Sequence, residues 1–243
     1  MNYVLIIGAK SDIAKAIARK YTKNGYDLFL AARQSSELET FANDLNIRTG
    51  RSVQCIELDI LSYTLHKEFY NSLEEKPIGV IVVTGYLGNQ KTAQSDFDEV
   101  KKIVDTNFTG IISLLNIIAD DFEKRKSGFI VGISSVAGDR GRKSNYIYGS
   151  AKAAFSTYLS GLRNRLYDSN VQVLTVKPGY VKTRMTKGMD LPEILTAQPE
   201  EVAEDIYRAQ QKENSVIYTK RIWKLIMLII NMIPEWKFKR SNI

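Results

Sequence analysis

The sequence predicts an α/β protein built on one doubly wound, parallel β-sheet with helices on both faces. Three observations support this fold class. Short β-branched runs alternate with amphipathic segments of helical length, no Pro- or Gly-rich linker interrupts them, and 243 residues suffice for one large domain. A repeated strand–helix–strand order makes the strands parallel and covers both faces of the sheet. We expect about seven strands, at residues 3–7, 27–32, 52–57, 80–83, 128–134, 171–177 and 215–218.

The turn after the first strand is a candidate dinucleotide site. It reads GAKSDIAKAIA from Gly8 and opens a helix, whose first amide groups can receive a pyrophosphate. A glycine-rich dinucleotide turn would carry glycines where this chain has Asp12 and Ala14. Ala14 is small enough for close packing, and we expect Asp12 to cap the helix. The candidate cofactor residues of the turn are Gly8, Lys10, Ser11, Asp12 and Ile13, although an ordinary strand–helix turn also fits this segment alone.

The ends of the second and third strands suggest the preferred dinucleotide. Arg33 follows the second strand, where an NAD-selective site would place an acid, so NADP(H) is favoured and NAD(H) stays possible. Lys10 can add a second positive charge. Asp59 follows the third strand, beside Ile60, and can accept a hydrogen bond from an adenine amino group. The alternatives are a solvated loop residue for Arg33 and a helix N-terminal acid for Asp59.

Three residues in the second half form the strongest chemical signal. Tyr148 and Lys152 are four residues apart at the start of a helix, and Ser135 ends the strand before it. Reducing a carbonyl requires a proton at oxygen, and we expect the Lys152 ammonium to lower the pKa of the Tyr148 phenol. Ser135 can donate to the substrate oxygen. Tyr146 has no lysine four residues on and is excluded from this role.

These motifs resemble the short-chain dehydrogenase/reductase family over nearly the whole chain. The resemblance implies a single Rossmann-type domain and hydride transfer between a nicotinamide and a carbonyl or alcohol carbon. It adds Asn107, in DTNFTG, to a catalytic tetrad with Ser135, Tyr148 and Lys152. The family motif N-N-A-G after the fourth strand is here V-V-T-G, which leaves Thr84 and Gly85 as cofactor candidates. From the segment KPGYVKT, the resemblance implies nicotinamide contacts by Pro178, Gly179, Val181 and Thr183, beside Tyr148 and Lys152.

A narrower resemblance concerns the substrate. The segments VVTGYLGN and ISSVAGDRGRKSNYIYGSAKA, with the basic and apolar C-terminus, resemble polyprenyl-phosphoryl ketoribose reductases, the reductases of decaprenylphosphoryl-ribose epimerisation. This implies a keto sugar on a polyprenyl phosphate, a flavoprotein oxidase partner, and use of NADH by some members. The family implies a homodimer or homotetramer. A keto-ester or acyl-carrier ketoreductase, or an NADP-sensing protein without catalysis, stays an alternative.

The C-terminal part is predicted to contain a lid and a tail. After the Rossmann domain at residues 1–219, the tail at residues 220–243 holds six Lys or Arg and one Glu, which gives +5 of the net charge of +7. Its apolar run, with Trp223 and Trp236, is too short to span a bilayer. It fits an amphipathic helix lying on anionic lipid, or one packed against the body or a second subunit. Within the domain, residues 183–198 form the lid, where Met185 and Met189 either adapt to an apolar substrate or pack on the core.

The remaining features are weaker guides to function. Apart from the tail the chain is nearly neutral, so we expect no nucleic-acid partner, and we expect no metal site. Cys55 is the single cysteine and lies in an apolar run, which predicts a small buried side chain. A single cysteine and the lack of a secretion signal at the start favour a cytoplasmic protein. A peripheral position at the inner face of the membrane is the alternative. We expect His66 to be a surface or half-buried helical residue.

Overall fold

The computed structural model describes residues 2–241 and contains the expected parallel sheet. Its strand order is β3-β2-β1-β4-β5-β6-β9, with every neighbouring pair parallel. The prediction of seven strands is confirmed, and the expected bounds agree with the observed ones to within one residue. The strands are β1 (Tyr3–Ile7), β2 (Asp27–Ala32), β3 (Val53–Glu57), β4 (Gly79–Val82), β5 (Gly128–Ile133), β6 (Val171–Pro178) and β9 (Val216–Thr219). Two short strands, β7 (Tyr180–Val181) and β8 (Thr196–Ala197), form a separate parallel pair.

Helices cover both faces of the sheet. Successive strand residues point to opposite sides, so Val4 and Ile6 join one core cluster while Leu5 and Ile7 join the other. The first cluster includes side chains of α1, α2 and α8, and the second includes those of α3, α6 and α7. The helices are α1 (Asp12–Lys23), α2 (Glu39–Thr49), α3 (His66–Ser72), α4 (Gln90–Ala93), α5 (Phe97–Val104), α6 (Gly110–Arg125), α7 (Tyr146–Leu166), α8 (Pro199–Gln211), α9 (Ile222–Met232) and α10 (Glu235–Phe238).

The topology fixes where a ligand can bind. Strand β1 lies between β2 and β4, so the chain leaves β1 toward one edge of the sheet and later continues from β4 toward the other. The loops that follow β1 and β4 therefore separate and leave a crevice at the carboxyl ends of the strands. The candidate dinucleotide turn, at Gly8, lies at this switch point.

Two of the weaker sequence expectations require correction. His66 is fully buried, and its Nδ1 lies 3.0 Å from the Ser113 hydroxyl, so the prediction of a surface or half-buried residue is wrong. The helical pattern located α3 correctly but could not show that α6 packs over this position. Cys55 is half-buried on β3, and this partial burial raises the pKa of its thiol to about 11, so the group is a poor nucleophile at neutral pH.

The C-terminal tail packs one face on the body and leaves the other exposed. Trp223, Met227 and Ile230 of α9 are buried in a third core cluster with Val136. Arg140 lies beneath the end of the tail, where its guanidinium donates to the carbonyls of Ile230 and Ile233 and stacks on Phe238 at 3.8 Å. The predicted packing of the tail on the body is therefore present. Trp223 is part of it, whereas Trp236 is exposed.

Candidate active site

A cleft of about 870 Å³ opens at the carboxyl ends of the central strands. Every predicted cofactor residue lines it, from Gly8 in the first turn to Thr183 after β7. Ser135, Tyr148 and Lys152 line it as well, whereas Asn107 lies just behind its wall. Residues that are remote in sequence thus meet in one cavity, large enough for an extended ligand.

The first turn requires a glycine and leaves room above the start of α1. Gly8 has a φ of +83°, and a Cβ there would lie 2.7 Å from the backbone nitrogen of Thr84. Ser11 caps α1, since its hydroxyl accepts from the Ala14 amide at 3.1 Å. The amides of Asp12 and Ile13 have no acceptor within the helix and belong to residues that line the cleft. This arrangement fits the pyrophosphate of a dinucleotide.

Asp12 has a different role from the one expected. The prediction that Asp12 caps α1 is wrong, because Ser11 occupies that position. The Asp12 carboxylate instead accepts from the Arg184 amide at 2.8 Å and pairs with its guanidinium at 3.3 Å. Arg184 also donates to the carbonyl of Lys10. The segment after Thr183 is therefore joined to the first turn, and the carboxylate charge beside the pyrophosphate position is offset.

The far end of the cleft carries a free cation. Arg33 is exposed, lines the cleft, and forms no hydrogen bond or ion pair with any residue from 2 to 241. Lys10, the second predicted positive contact, pairs with Glu37 at 2.6 Å. The loop after β2 is held by Glu57, whose carboxylate accepts from the Gln34 and Ser35 amides, both at 2.8 Å. Arg33 is thus the cation available to a ribose phosphate at this end.

The third strand contributes Asp59 and Ile60 to the cleft. The Asp59 carboxylate accepts from the Leu61 amide at 3.0 Å, which fixes its side chain in the turn after β3. This hydrogen bond uses one lone pair of the Asp59 carboxylate. The other lone pairs of the carboxylate can accept from a donor such as an adenine amino group.

Ser135, Tyr148 and Lys152 converge at the other end of the cleft. Ser135 follows β5, its hydroxyl accepts from the Ala137 amide at 3.1 Å, and it lies near enough to the Tyr148 phenol to lower the pKa of that phenol. Lys152, one helical turn after Tyr148, places its Nζ 5.8 Å from the phenol ring centre and 3.0 Å from the Ile133 carbonyl oxygen. Ser134 holds the helix here, because its hydroxyl donates to the Lys152 carbonyl at 2.9 Å.

Burial governs the ionisation of this group. It raises the pKa of Tyr148 to about 12, against a smaller lowering by the nearby Ser135 hydroxyl. It lowers the pKa of Lys152 to about 7, since the side chain is only 2% exposed. The expected lowering of the Tyr148 pKa by a Lys152 ammonium is therefore wrong for this structure: Lys152 is itself only partly charged near neutral pH. The Tyr148 phenol is consequently neutral, and able to donate a proton.

Asn107 lies in a helical irregularity behind the cleft wall. A single π-turn, Asp105–Thr109, joins α5 to α6, a feature that often marks functional sites. The Asn107 amide donates to the carbonyls of Ile103 at 2.8 Å and Tyr86 at 2.6 Å, and its oxygen accepts from the Tyr86 amide at 3.2 Å. A Cβ on Gly85 would lie 3.3 Å from that oxygen and 3.6 Å from the Lys152 Nζ. Asn107 and Lys152 therefore flank Gly85.

Tyr86 and Arg184 line the cleft but were absent from the sequence prediction. Tyr86 follows Gly85 and hydrogen-bonds through its hydroxyl to Glu99 at 3.0 Å, and its place after the end of β4 could have revealed it. Arg184 had no local signal, because its partner Asp12 is remote in sequence.

Met185 lines the cleft and is 45% exposed, and Met189 is 48% exposed, so neither packs on the core. Met185 is thus the methionine available to an apolar substrate group.

Gly179 supplies a stability test of this end of the cleft. A Cβ there would lie 2.0 Å from the buried Trp223 indole, which is fixed by its hydrogen bond to the Leu195 carbonyl. We expect Gly179→Ala to reduce the free energy of unfolding by about 1–3 kcal/mol through overpacking, measured by urea denaturation.

The matched control for this substitution is Gly161→Ala. Gly161 is exposed within α7 with nothing within 4 Å of the added methyl, so the change is expected to stabilise by about 0.5–1 kcal/mol. Equal unfolding free energies for the two variants would contradict the packing of Trp223 against Gly179.

Comparisons with known sequences agree with this geometry. The family model for short chain dehydrogenases matches residues 2–193. An uncharacterised oxidoreductase of Mycobacterium tuberculosis is 34% identical over 240 residues, which cover 98% of this chain and 96% of that protein. An uncharacterised oxidoreductase of Streptomyces coelicolor is 28% identical over 240 residues, with coverages of 98% and 94%.

Solved structures share the same fold. A short-chain dehydrogenase from Sphingobium yanoikuyae in complex with NADPH has a TM-score of 0.84 at 23% identity and covers 97% of each chain. An alcohol dehydrogenase from Comamonas testosteroni, described as specific for bulky-bulky ketones, has a TM-score of 0.81 at 22% identity, with coverages of 97% and 96%. With the family match and the cleft described above, the chain belongs to the short-chain dehydrogenase family and is an NAD(P)-dependent oxidoreductase.

Proposed function

We propose that this protein reduces a carbonyl group to an alcohol with NADPH, in the cleft between Gly8 and Gly179. The observation that carries the proposal is the meeting of a dinucleotide-type turn with Ser135, Tyr148 and Lys152 in one cavity. When bound, NADPH supplies the hydride for the carbonyl carbon. Gly8, Ser11 and Ile13 would hold its pyrophosphate, and Pro178, Gly179, Val181 and Thr183 its nicotinamide end.

Side chains of the protein then supply the proton that the carbonyl oxygen needs. The Tyr148 phenol, kept neutral by burial, donates its proton to the carbonyl oxygen. Ser135 lines the cleft beside Tyr148, and its hydroxyl would donate to the same carbonyl oxygen and orient it. Lys152, with a pKa of about 7, would hold the nicotinamide ribose and can exchange a proton near neutral pH. Asn107 keeps the Tyr86 backbone in place and completes the tetrad that the family resemblance implies.

The preference for NADPH follows from Arg33. Its guanidinium has no protein partner among residues 2–241, so a ribose phosphate can take it as a charge-assisted contact. We expect Arg33→Ala to raise KM for NADPH by about 10–100-fold, because such a contact contributes about 1.5–3 kcal/mol. KM for NADH should change little, since NADH lacks the phosphate. Steady-state kinetics with both cofactors measure the difference.

Arg48→Ala is the control for this experiment, since Arg48 is exposed on α2, pairs with Asp44 and does not line the cleft. It should leave both KM values unchanged. An equal rise in KM for the two cofactors in Arg33→Ala would contradict the assignment of Arg33 to the ribose phosphate.

For the substrate, we favour a keto sugar carried on a polyprenyl phosphate. The support is the resemblance of the segments around Thr84 and Tyr148, together with the exposed Met185 at the cleft, whose flexible thioether suits an apolar group. A flavoprotein oxidase that forms the ketone would be its partner in that sequence of reactions. We also expect a homodimer or homotetramer, as the family resemblance implies.

The substrate class can be tested by comparing three carbonyl compounds. NADPH oxidation would be followed with a farnesyl-phosphoryl 2-keto-pentose, the same keto sugar without the lipid, and a β-ketoacyl thioester. The proposal predicts the highest kcat/KM for the lipid-linked sugar. A higher kcat/KM for the thioester would favour an acyl-carrier ketoreductase, and turnover of none of them with intact NADPH binding would favour a sensor.

A further inference from the structure

A second cavity, of about 500 Å³, lies at the edge of the sheet. It is bounded by the end of α8, the edge strand β9 and the start of α9, and it shares no lining residue with the active-site cleft. Its polar lining is mostly cationic. We call it the basic pocket and define its cations as Arg208, Lys212, Arg221 and Lys224.

The charges of the basic pocket are largely unbalanced. Arg208 pairs with Glu204 at 2.7 Å, but Lys212, Arg221 and Lys224 are exposed and form no ion pair within residues 2–241. Asp205 is the one acid in the lining, and it interacts with Arg208 and Arg221. Cations held around a concave site repel one another and favour a bound anion.

An exposed apolar face continues from the basic pocket along α9. Leu225 is 58% exposed, Ile229 56% and Met232 73%, with Ile222 and Leu228 beside them. The opposite side of α9 is buried in the third core cluster, and Arg140 hydrogen-bonds to the carbonyl of Ile233 after it, so this face is held against the body. A contiguous, fixed apolar surface of this kind usually marks an interaction site.

The far end of this face is again basic. After α9 come the exposed Trp236 and, around it, the exposed Lys237, Lys239 and Arg240. Helix α9 has eleven residues and is about 16 Å long, short of the roughly 30 Å hydrocarbon layer, so it can lie on a bilayer but not cross it. Cations at both ends of an apolar helix face, with a Trp at one of them, are typical of helices at the lipid–water interface.

We propose that the basic pocket and the exposed face of α9 form a docking surface for an anionic lipid bilayer. A head-group phosphate binds in the pocket between Lys212, Arg221 and Lys224, and Leu225, Ile229 and Met232 enter the acyl boundary. Charge complementarity selects this occupant over a second copy of the chain, because a two-fold contact would bring these cations against each other. The inference goes beyond the proposed function and does not depend on it.

Vesicle sedimentation of the full chain tests the docking surface. Wild type is compared on phosphatidylcholine vesicles and on vesicles that also contain phosphatidylglycerol. We expect binding to the anionic vesicles only, and its decline with added salt. The variant Lys212→Gln/Arg221→Gln/Lys224→Gln should bind about 100-fold more weakly, given the contribution of each basic residue at a charged membrane. Leu225→Ser/Ile229→Ser should lose binding as well.

The charge-matched control is Lys67→Gln/Lys124→Gln/Lys126→Gln, which removes three exposed lysines from α3 and the end of α6. This variant should bind like wild type. Equal losses in the two triple variants would overturn the proposal, because binding would then depend on net charge alone. So would wild-type binding that is equal on both vesicles. A concentration-dependent oligomer in sedimentation velocity that Leu225→Ser/Ile229→Ser dissociates, without vesicle binding by wild type, would assign the face to a second copy.

NADPH binding by the variants separates this test from the proposed function. Because the two cavities share no lining residue, both sets of variants should bind NADPH like wild type. Loss of lipid binding with retained NADPH binding supports the docking surface even if every tested carbonyl fails as a substrate.

Discussion

Replacing Tyr148 by Phe is expected to reduce kcat for carbonyl reduction by about 10²–10⁴-fold, the range that a positioned general acid contributes. The Tyr148 hydroxyl is neutral and is the proton donor that we propose, and the substitution removes only that oxygen. The ring, the backbone and the Lys152 contact with Ile133 stay in place, so the Kd for NADPH should change less than threefold, a difference of about 0.6 kcal/mol. Steady-state kinetics and NADPH fluorescence titration measure the two quantities.

Tyr146→Phe is the matched control, because it removes the same atom two residues away. Tyr146 is 41% exposed and does not line the cleft. Its variant should keep wild-type kcat. A Tyr148→Phe enzyme that retains wild-type kcat, or a Tyr146→Phe enzyme that loses it, would show that the proton donor has been assigned to the wrong residue.

Lys152→Met is expected to stabilise the protein in the absence of cofactor while abolishing activity. Burial lowers the pKa of Lys152 from 10.5 to about 7, so the folded state disfavours the ammonium. The resulting destabilisation is fully present below pH 7, declines between pH 7 and 10.5, and disappears at higher pH. Methionine has similar length and no charge. At pH 6 the variant should therefore unfold with a free energy about 2–4 kcal/mol higher than wild type.

Urea denaturation at pH 6 and pH 9 tests this expectation, and the gain at pH 9 should be about half of that at pH 6, because pH 9 still lies below the unfolded-state pKa of 10.5. Lys124→Met, on the exposed surface of α6, is the control and should show no such dependence on pH. A gain for Lys152→Met that is the same at both pH values would contradict burial as the cause. The expected exchange of stability for activity is typical of residues held in place for function.

The fold could be predicted closely because its signals are local. Each strand of the sheet is a short β-branched run, and its alternating burial on two core clusters needs only the period of a strand. The position of the cleft then follows from parallel strands whose carboxyl ends share one edge. For that reason Gly8, Arg33, Asp59 and Ser135, which all follow the ends of strands, could be placed in one site from the sequence.

The missed features depend on contacts that no local pattern reveals. Arg184 and Asp12 meet across the opening of the cleft, and Arg140 holds the C-terminal tail, although each pair of partners is far apart in the chain. The expected lowering of the Tyr148 pKa by a charged Lys152 was wrong for the same reason. A four-residue spacing gives their proximity, but the burial that controls their ionisation comes from elements elsewhere in the fold.

Transfer of deuterium from NADPH that carries deuterium at both C4 positions of the nicotinamide tests the central claim most directly. Wild type and Tyr148→Phe would be incubated with labelled NADPH and each of the three carbonyl compounds, and the alcohols analysed by mass spectrometry. The account predicts deuterium at the new carbinol carbon with wild type, and a trace at most with Tyr148→Phe. Oxidation of NADPH that leaves the alcohol unlabelled, or wild-type protein that neither binds NADPH nor forms an alcohol, would contradict it.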